Sequence, residues 1–257
     1  MVEDAAVTVD GLKGDRQFVV VSKRGKFLTA REHPSLVLVK SEVLDGHLTL
    51  SAPNYRTMAV PLLGASQKLQ SIKIWQDDVT GADMGDEIAS WLSDYIGKDS
   101  RLITVTDKSV RHGKYSGTPK GFADASPLLI TSDASLDDLN RRLASPVIHR
   151  NFRPNIVIAG AMEPFGEDLW AEIKIGALTM QVAWSCSRCI LTTVDPLTGV
   201  KSRDMEPVKT LKSFRTAHDK NFYFGQNVIP EQAGIIRVGD PVEIIALREQ
   251  PLYASDC

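Results

Sequence analysis

The sequence is most informative at Leu178-Thr179-Met180-Gln181-Val182-Ala183-Trp184-Ser185-Cys186-Ser187-Arg188-Cys189, where a strand pattern runs into a pair of cysteines. Apolar side chains stand at every second position from Leu178 to Trp184, which is the period of a half-buried β-strand. Another apolar run at residues 172–175 and the intervening Gly176-Ala177 pair predict a preceding strand and a turn. The two cysteines are therefore expected at the end of a strand.

Strand patterns also account for most of the remaining chain. Short apolar runs alternate with turn signals such as Arg24-Gly25-Lys26 and Asp45-Gly46, which is typical of a β meander or a small barrel. The predicted strands lie at residues 17–21, 27–29, 36–39, 47–50, 72–75, 101–105, 128–130, 155–158, 190–194, 234–238 and 242–246. The predicted fold class is α+β, with β structure dominant.

A few helices and loops interrupt these strands. Apolar residues with helical spacing predict an amphipathic helix over residues 84–97, which Gly97 ends. Ser135 is expected to cap a second helix, and residues 207–215 form a third. Residues 107–124 are expected to be a long, mobile loop, and residues 224–227 a glycine-bearing loop.

Composition and charge exclude several classes of protein. The 257 residues are 43% hydrophobic and 24% charged, which is a globular composition. The formal net charge of −2 provides no positive field, so no nucleic-acid partner is expected. Three cysteines are an odd number, which argues against a secreted disulfide scaffold and for a reducing compartment. Since the acidic first residues show no leader pattern and no long apolar run occurs, the chain as written is expected to be soluble and cytosolic.

Familiar catalytic motifs are missing from the sequence. It contains no GxGxxG, GxxxxGK[ST], GxSxG or HExxH, the motifs of several large enzyme classes. Its five histidines are scattered without the spacing of metal ligands. The chemistry must therefore be sought in other side chains.

The motif Cys186-Ser187-Arg188-Cys189 is open to several interpretations. The neighbouring guanidinium favours the thiolate, the form of cysteine that binds metals or attacks electrophiles. A zinc site would need further ligands, which the histidines and Cys257 do not supply convincingly. A redox disulfide belongs at a strand-to-helix junction, whereas the β-like residues 190–194 follow here. Two buried thiols with a purely structural role are a further alternative.

Two other segments carry polar groups that suit binding. Arg153 lies between Asn151 and Asn155 just ahead of a hydrophobic run, and a planar cation flanked by amides suits recognition of an anion or an amide. A structural salt bridge is the alternative for this arginine. Residues 124–127, Asp-Ala-Ser-Pro, precede a buried strand at the edge of the long loop, where an ordinary turn is the alternative.

Several motifs form one collinear pattern over nearly the entire chain. They are Asp15-Arg16-Gln17-Phe18, Phe27-Leu28-Thr29-Ala30-Arg31, Asp124-Ala125-Ser126-Pro127-Leu128-Leu129-Ile130, Ser135-Leu136, residues 151–155, Cys186-Ser187-Arg188-Cys189-Ile190-Leu191-Thr192-Thr193-Val194-Asp195-Pro196-Leu197-Thr198-Gly199, Leu211-Lys212-Ser213-Phe214-Arg215 and Ile236-Arg237-Val238-Gly239-Asp240-Pro241-Val242. This pattern resembles the MOSC superfamily and, within it, the mitochondrial amidoxime reducing components and their bacterial relatives. The long cysteine segment makes the resemblance specific.

The resemblance implies a MOSC-type β-barrel with a smaller interleaved N-terminal β-barrel domain. It implies residues 1–102 for the N-terminal domain, 103–250 for the MOSC domain and 251–257 for a C-terminal tail. It also implies a molybdenum cofactor, molybdenum-molybdopterin (Mo-MPT), with Cys189 as metal ligand, Asp124 beside the metal and no metal role for Cys186. The residues that it implies for cofactor binding are Arg16, Ala125, Ser126, Arg153, Asn155, Ser187, Arg188 and Asn227.

The resemblance further implies a reaction and partners. The expected reaction is reduction of N-hydroxylated compounds, such as amidoximes, hydroxylamines and N-oxides, by removal of oxygen at the metal. Because the sequence carries no flavin or nicotinamide motif, electrons are expected from another protein. In the eukaryotic relatives that partner is cytochrome b5, reduced by NADH-cytochrome b5 reductase, at the cytosolic face of the mitochondrial outer membrane.

The chain departs from the family pattern in two places. Relatives begin with a membrane anchor and a strand bearing a Lys-Ser pair, so one barrel strand and part of the cofactor pocket are expected to be missing here. Asn227 stands where animal relatives can carry a tyrosine at the cofactor. A cofactor carrier or sulfuration module is the alternative function, and a cofactor-free β-barrel is a third.

Overall fold

The computed structural model describes residues 2–62, 68–109, 111, 121–160 and 162–251. Its strands are β1 (Asp4–Thr8), β2 (Gly11–Leu12), β3 (Phe18–Ser22), β4 (Lys40–Leu44), β5 (His47–Ser51), β6 (Met58–Pro61), β7 (Leu69–Ile74), β8 (Asp77–Asp83), β9 (Ser100–Thr104), β10 (Leu128–Ser132), β11 (Ile156–Ile158), β12 (Trp170–Ile175), β13 (Leu178–Ser187), β14 (Tyr223–Pro230), β15 (Gly234–Arg237) and β16 (Val242–Leu247). Its helices are α1 (Asp86–Ile96), α2 (Asp133–Arg141), α3 (His149–Phe152) and α4 (Val208–Phe214), with 3₁₀ turns at Pro34–Leu38, Gly166–Leu169 and Ile190–Thr193. Strands prevail over helices in this part of the chain, so the predicted β-dominated α+β class is confirmed.

The largest sheet has six strands in the order β11-β10-β14-β13-β12-β16. Its neighbouring strands are antiparallel except for β10 and β11, between which α2 and α3 lie in the chain. Side chains such as Ile130, Ile173 and Val182 form its fully buried core. The pairing of β13 with β14 brings residues 184–187 beside residues 223–227, so both strands contribute to one end of the sheet.

The first half of the chain forms two smaller sheets. One has the order β3-β9-β8-β7 and the other β4-β5-β6. Ile88, Trp91 and Leu92 of α1 are buried in a core that also contains Leu48 of β5. The apolar face of α1 therefore stabilises this half by the burial of large side chains.

The beginning of the chain belongs to the core of the six-stranded sheet. β1 pairs antiparallel with β15, and Val7 is buried in that core. Gly11 in β2 has a φ of +120°, and a Cβ at this position would lie 2.6 Å from the Pro127 carbonyl oxygen. Only glycine permits β2 to approach Pro127 this closely. Since Pro127 precedes β10, the chain passes the start of β10 shortly before it reaches residues 15–16.

A network of buried polar side chains joins α2 to the 3₁₀ turn at Gly166–Leu169. The Glu167 carboxylate accepts hydrogen bonds from the hydroxyls of Ser132 at 3.1 Å and of Ser135 at 2.7 Å. Desolvation by burial raises the pKa of Glu167. Asp168, next to it, forms a buried ion pair with Arg215 at 2.6 Å. These partners offset the free-energy cost of burying charged groups.

Three of the predicted strands are wrong. Residues 36–39 lie largely in a 3₁₀ turn, because Pro34 at its first position favours helical backbone angles. Residues 190–193 form another 3₁₀ turn, in which the Thr192 and Thr193 hydroxyls donate to carbonyls three residues back. Residues 27–29 make an isolated bridge from Phe27 to Val21 instead of a strand.

Two further predictions are corrected. Residues 224–227 lie within β14 instead of a loop, because Gly225 lets β14 approach β10 closely: a Cβ there would lie 2.5 Å from the Ile130 carbonyl oxygen. α2 begins at Asp133, and Ser132 caps it by accepting the Ser135 amide at 3.1 Å. Ser135 instead lies inside the helix.

The predicted helices at 84–97 and 207–215 are confirmed as α1 and α4. Gly97 ends α1 in the left-handed conformation, as its position predicted. Most of the predicted loop 107–124, namely residues 110 and 112–120, lies outside the described residues, as do residues 252–257 of the predicted tail. The domain boundaries and the mobility of the loop therefore stay predictions.

Candidate functional site

Three arginines from distant parts of the sequence converge at the end of α3. Arg16 donates from Nη2 to the carbonyl of Arg153 at 3.1 Å, and Arg188 donates from Nη2 to the carbonyl of Phe152 at 2.5 Å. These carbonyls are consecutive and belong to the last turn of α3, where unpaired carbonyl oxygens favour cations. The contacts bring the β2–β3 connection, α3 and the end of β13 together.

Arg153 itself occupies the position at which α3 ends. Its φ of 56° is left-handed, and its amide donates to the His149 carbonyl at 3.1 Å. The guanidinium remains open to solvent although protein surrounds it closely. Desolvation by the surrounding protein is the largest cause that lowers the pKa of Arg153, and the charges of Arg16 and Arg188 lower it further. The carboxylates of Asp15 and Asp124 oppose this shift. Three cations close enough to interact favour an anionic ligand.

Asn155 connects this region to the start of β10. Its side-chain carbonyl accepts the Leu129 amide at 2.9 Å, and its side-chain amide donates to Asp15 Oδ2 at 2.6 Å. Asp15 also pairs with the neighbouring Arg16. Asp15, to which sequence reasoning gave no role, therefore orients both Arg16 and Asn155.

Asn151 provides a second connection that sequence reasoning did not assign. Its side-chain carbonyl accepts the Ile148 amide at 3.1 Å, and its side-chain amide donates to the Thr192 carbonyl at 3.1 Å. Thr192 lies in the 3₁₀ turn that follows Cys189. The buried Asn151 thus couples the end of α3 to the cysteine segment.

The two cysteines are half-buried free thiols with different surroundings. Cys186 lies in β13, and Arg188 Nη1 donates to its sulfur at 2.8 Å. Cys189 precedes the 3₁₀ turn, and its sulfur has no such partner among the described residues. The Arg188 Nε atom is buried without a hydrogen-bond partner in the described part of the chain. An unpaired buried donor is costly, so this atom invites an acceptor from a ligand.

Asp124 is a carboxylate close enough to Arg153 for their charges to interact. Its carboxylate is exposed and accepts a hydrogen bond from Trp75 Nε1 at 2.9 Å. Its charge also opposes the lowering of the pKa of Arg153, so the two side chains interact electrostatically. The Asp124 carboxylate therefore adds a hydrogen-bond acceptor beside the arginine cluster.

The remaining residues from the sequence analysis lie around these groups. Ala125 and Ser187 are exposed, and Ser187 ends β13 opposite Tyr223. Ser126 is buried and donates its hydroxyl to the Val228 carbonyl at 2.9 Å. Asn227 is buried in β14 and pairs with Leu129 and Trp184 across the sheet. Their roles in binding stay predictions.

The arrangement fits a cofactor better than a protein-only metal site. Within the described ranges, no group of three or more histidine, cysteine, aspartate or glutamate side chains is placed to hold a metal ion. A metal here would need most of its ligands from a bound molecule. The three guanidiniums, the unpaired Arg188 Nε and the Cys189 thiol suit an anionic molecule that carries such ligands.

Among the residues that the structure describes, none of the helices combines the length and the apolar character needed to span a bilayer.

Two family models match different parts of this chain. Residues 1–99 match the family model of the MOSC N-terminal beta barrel domain, and residues 117–243 match that of the MOSC domain. Mitochondrial amidoxime-reducing component 1 of Mus musculus is 38% identical and the match covers 95% of this chain and 77% of the mouse protein. Component 2 of Rattus norvegicus is 37% identical, and the match covers 89% of this chain and 72% of the rat protein. Component 1 of Homo sapiens is 36% identical, and the match covers 95% of this chain and 78% of the human protein. The solved structure of YiiM from Geobacillus stearothermophilus, with 19% identity over 65% of this chain and 71% of that chain, has a TM-score of 0.35, too low to bear on the fold.

Proposed function

Because the chain belongs to the MOSC-domain family of the mitochondrial amidoxime-reducing components, we propose that it is a molybdenum-cofactor-dependent reductase of N-hydroxylated compounds. Amidoximes, hydroxylamines and N-oxides are the proposed substrate class. The observation that carries the proposal is the convergence of Arg16, Arg153 and Arg188, with the free thiol of Cys189 on the residue that follows Arg188.

The arginine cluster is proposed to bind the pterin and its terminal phosphate. A phosphate accepts forked hydrogen bonds from guanidinium groups, and these bonds are stronger than those between neutral groups. Arg188 offers the buried Nε that has no other partner. Asn155 and the exposed Ser187 supply neutral donors next to the cluster, while Ala125, Ser126 and Asn227 are proposed to line the pocket.

Cys189 is proposed to ligate the metal through its thiolate. When bound, the molybdenum cofactor supplies removal of an oxygen atom from nitrogen and the storage of electrons. Cys186 is proposed to stay off the metal, because Arg188 already occupies its sulfur at 2.8 Å. The protein thereby presents one available thiol and one engaged thiol to the cofactor.

Asp124 is proposed to handle protons. Reduction of an N–O bond to an amine and water consumes two protons with two electrons, so a nearby acid accelerates it. Asp124 Oδ1 accepts the Trp75 N–H at 2.9 Å, so the carboxylate is proposed to act while the indole holds it. The exposed carboxylate has access both to solvent, the proton source, and to a substrate above the arginine cluster.

The electron donor and the location form a further part of the proposal. Electrons are proposed to come from cytochrome b5, which NADH-cytochrome b5 reductase reduces, at the cytosolic face of the mitochondrial outer membrane. The names of the relatives and the lack of a nicotinamide or flavin motif in the sequence support an external donor.

Metal analysis and turnover of benzamidoxime test the proposal together. The purified holoprotein is expected to contain stoichiometric molybdenum and a pterin, and to reduce benzamidoxime to benzamidine with reduced cytochrome b5. Zinc or no metal in a correctly folded sample would overturn the cofactor assignment. Molybdenum and pterin without turnover, together with a transferable sulfur on a cysteine, would favour the alternative of a cofactor carrier or sulfuration module.

A further inference from the structure

A tryptophan from the first half of the chain reaches the candidate site. Trp75 lies in the turn between β7 and β8, and its Nε1 donates to Asp124 Oδ1 at 2.9 Å. Its φ of 56° is left-handed, a conformation that side chains of this size rarely adopt. Such a conformation persists only where the surroundings hold it in place, and it often accompanies a function.

Two neighbours fix the orientation of the Trp75 ring. The Phe27 ring packs against it edge-on, with centroids 5.4 Å apart and an interplanar angle of 89°. The Arg31 guanidinium lies 4.7 Å from the indole centroid, which is a cation–π contact. The ring is still 39% exposed, so these contacts orient it at a surface instead of burying it in a core.

A buried arginine ties the same turn to the segment that carries Asp124. Arg111 Nε donates to Asp77 Oδ2 at 2.9 Å, just beyond Trp75 in the turn. Arg111 Nη1 donates to the carbonyls of Gly121 at 3.2 Å and of Ala123 at 3.0 Å. The turn that carries Trp75 and the segment that carries Asp124 are thus joined in two ways. Arg111 connects them through the carbonyls of Gly121 and Ala123, and Trp75 connects them through its hydrogen bond to Asp124.

We propose that Trp75 is a positioning residue that holds the Asp124 carboxylate in the orientation needed for proton transfer. The inference rests on the proposed function of Asp124. The Trp75 N–H, whose ring is fixed by Phe27 and Arg31, favours the Asp124 rotamer in which Oδ1 meets the indole. The carboxylate then keeps a constant orientation, which proton transfer requires because it works only within hydrogen-bond reach.

The kinetic test replaces the N–H donor and keeps the aromatic ring. Trp75→Phe is expected to lower kcat for benzamidoxime by about tenfold, the effect of losing a hydrogen bond to a charged group, with little change in KM or molybdenum content. Trp75→His offers a ring N–H and is expected to recover most of the loss. In an Asp124→Asn background, Trp75→Phe is expected to have no further effect on kcat, because Trp75 acts through that carboxylate.

Trp91→Phe is the matched control. Trp91 lies in the core of the first half of the chain and donates its Nε1 to the Arg56 carbonyl at 2.6 Å. Neither Arg56 nor the residues of that core belong to the candidate site. This exchange is expected to lower the melting temperature without lowering kcat. A Trp75→Phe enzyme with wild-type kcat, or one whose loss is the same in the Asp124→Asn background, would overturn the inference.

An NMR measurement separates this inference from the proposed function. The chain has 4 tryptophans, and the indole N–H signal that disappears in Trp75→Phe belongs to Trp75. Asp124→Asn is expected to shift that signal and to leave the Trp91 signal in place, whether or not the protein reduces benzamidoxime. If the wild type proves inactive, the proposed reductase function fails while a shifted Trp75 signal still supports the positioning contact. An unshifted Trp75 signal overturns the inference even in an active enzyme.

Discussion

Single residues distinguish the two thiols of the CxxC motif. We predict that Cys189→Ala abolishes benzamidoxime reduction and alters the molybdenum EPR spectrum, because its thiolate is the proposed metal ligand. Cys186→Ala should keep most of the activity, since its sulfur is already engaged by Arg188 at 2.8 Å. Turnover and spectra of both variants at equal molybdenum content provide the measurement. Equal loss in the two variants would instead support a disulfide or a shared zinc ion.

Asp124 provides the second prediction at this scale. Asp124→Asn keeps the shape of the side chain but removes its ability to carry a proton. Turnover is expected to fall by about 10²–10⁴, the usual contribution of a general acid. Melting temperature and molybdenum content should stay close to those of the wild type, because the carboxylate is exposed. Turnover near that of the wild type, with normal metal content, would reduce Asp124 to an ordinary turn residue.

The sequence revealed some residues of the site and concealed others. Arg153 and Arg188 stand in recognisable motifs, and the structure brings them together with Arg16. Asp15 and Asn151 stand in recognisable motifs, but they act through contacts with residues far away in the chain, such as Thr192, so no local pattern revealed these contacts. Trp75 looked like a strand residue, because a hydrogen bond to a side chain 49 positions later leaves no periodic signal.

At the scale of elements, the end of α3 is where backbone conformation and binding chemistry meet. We predict that Arg153→Ala lowers molybdenum occupancy more than it lowers the activity per bound molybdenum. Loss of a charge-assisted hydrogen bond costs about 1.5–3 kcal/mol, so the cofactor should bind roughly 10- to 100-fold more weakly. Metal content and pterin fluorescence of the purified variants measure the occupancy.

Two companion variants separate charge from backbone strain in that experiment. Arg153→Gly also removes the guanidinium but tolerates the φ of 56°, so it should show the same loss of cofactor as the alanine variant. Arg150→Ala removes an exposed arginine from the same helix and should bind normally. Full occupancy in Arg153→Gly would return Arg153 to a structural role at the end of the helix.

Elements were predictable where their signal was local. α1 has both an apolar period and a terminal glycine, and its observed bounds fall within the predicted range. Residues 224–227 of β14 have the pattern of a loop in the sequence, because Gly225 and Asn227 are common in turns. In the structure Gly225 serves the close approach of β14 to the Ile130 carbonyl, a reason that depends on tertiary packing. A glycine thus marks either a turn or a close approach between strands, and the sequence alone does not separate these two cases.

For the molecule as a whole, the buried Glu167 predicts how stability depends on pH. Burial raises its pKa above the unfolded value of 4.5, so its contribution to stability is fully present below that value. The contribution is lost as the pH rises through the higher folded pKa, because the ionised carboxylate is costly to bury. Glu167→Gln removes this titration, and the free energy of unfolding of the wild type relative to the variant is expected to fall as the pH rises from about 4.5 toward neutrality.

Urea unfolding at a series of pH values measures that difference. Glu243→Gln is the control, because Glu243 is an exposed acid on β16 and should leave the pH dependence unchanged. A wild-type curve parallel to that of Glu167→Gln over this range would show that the Ser132 and Ser135 hydroxyls stabilise the carboxylate as fully as water does.

The whole-molecule class was the most predictable level. Alternation of apolar residues and frequent turn signals are spread over the chain, so single errors such as the strand at residues 36–39 did not alter the β-dominated assignment. The pairing of strands was less accessible. β1 joins β15 across more than 220 residues, and neither strand contains a signal for its partner.

The pairing of β1 with β15 determines which fragments of this chain contain a complete core. A polypeptide expressed from residue 103 onward would contain the six-stranded sheet but not Val7, and would offer β15 an open edge where β1 belongs. It would also lack Arg16. The residues that complete the core of the six-stranded sheet therefore extend beyond the match at residues 117–243 and include β1.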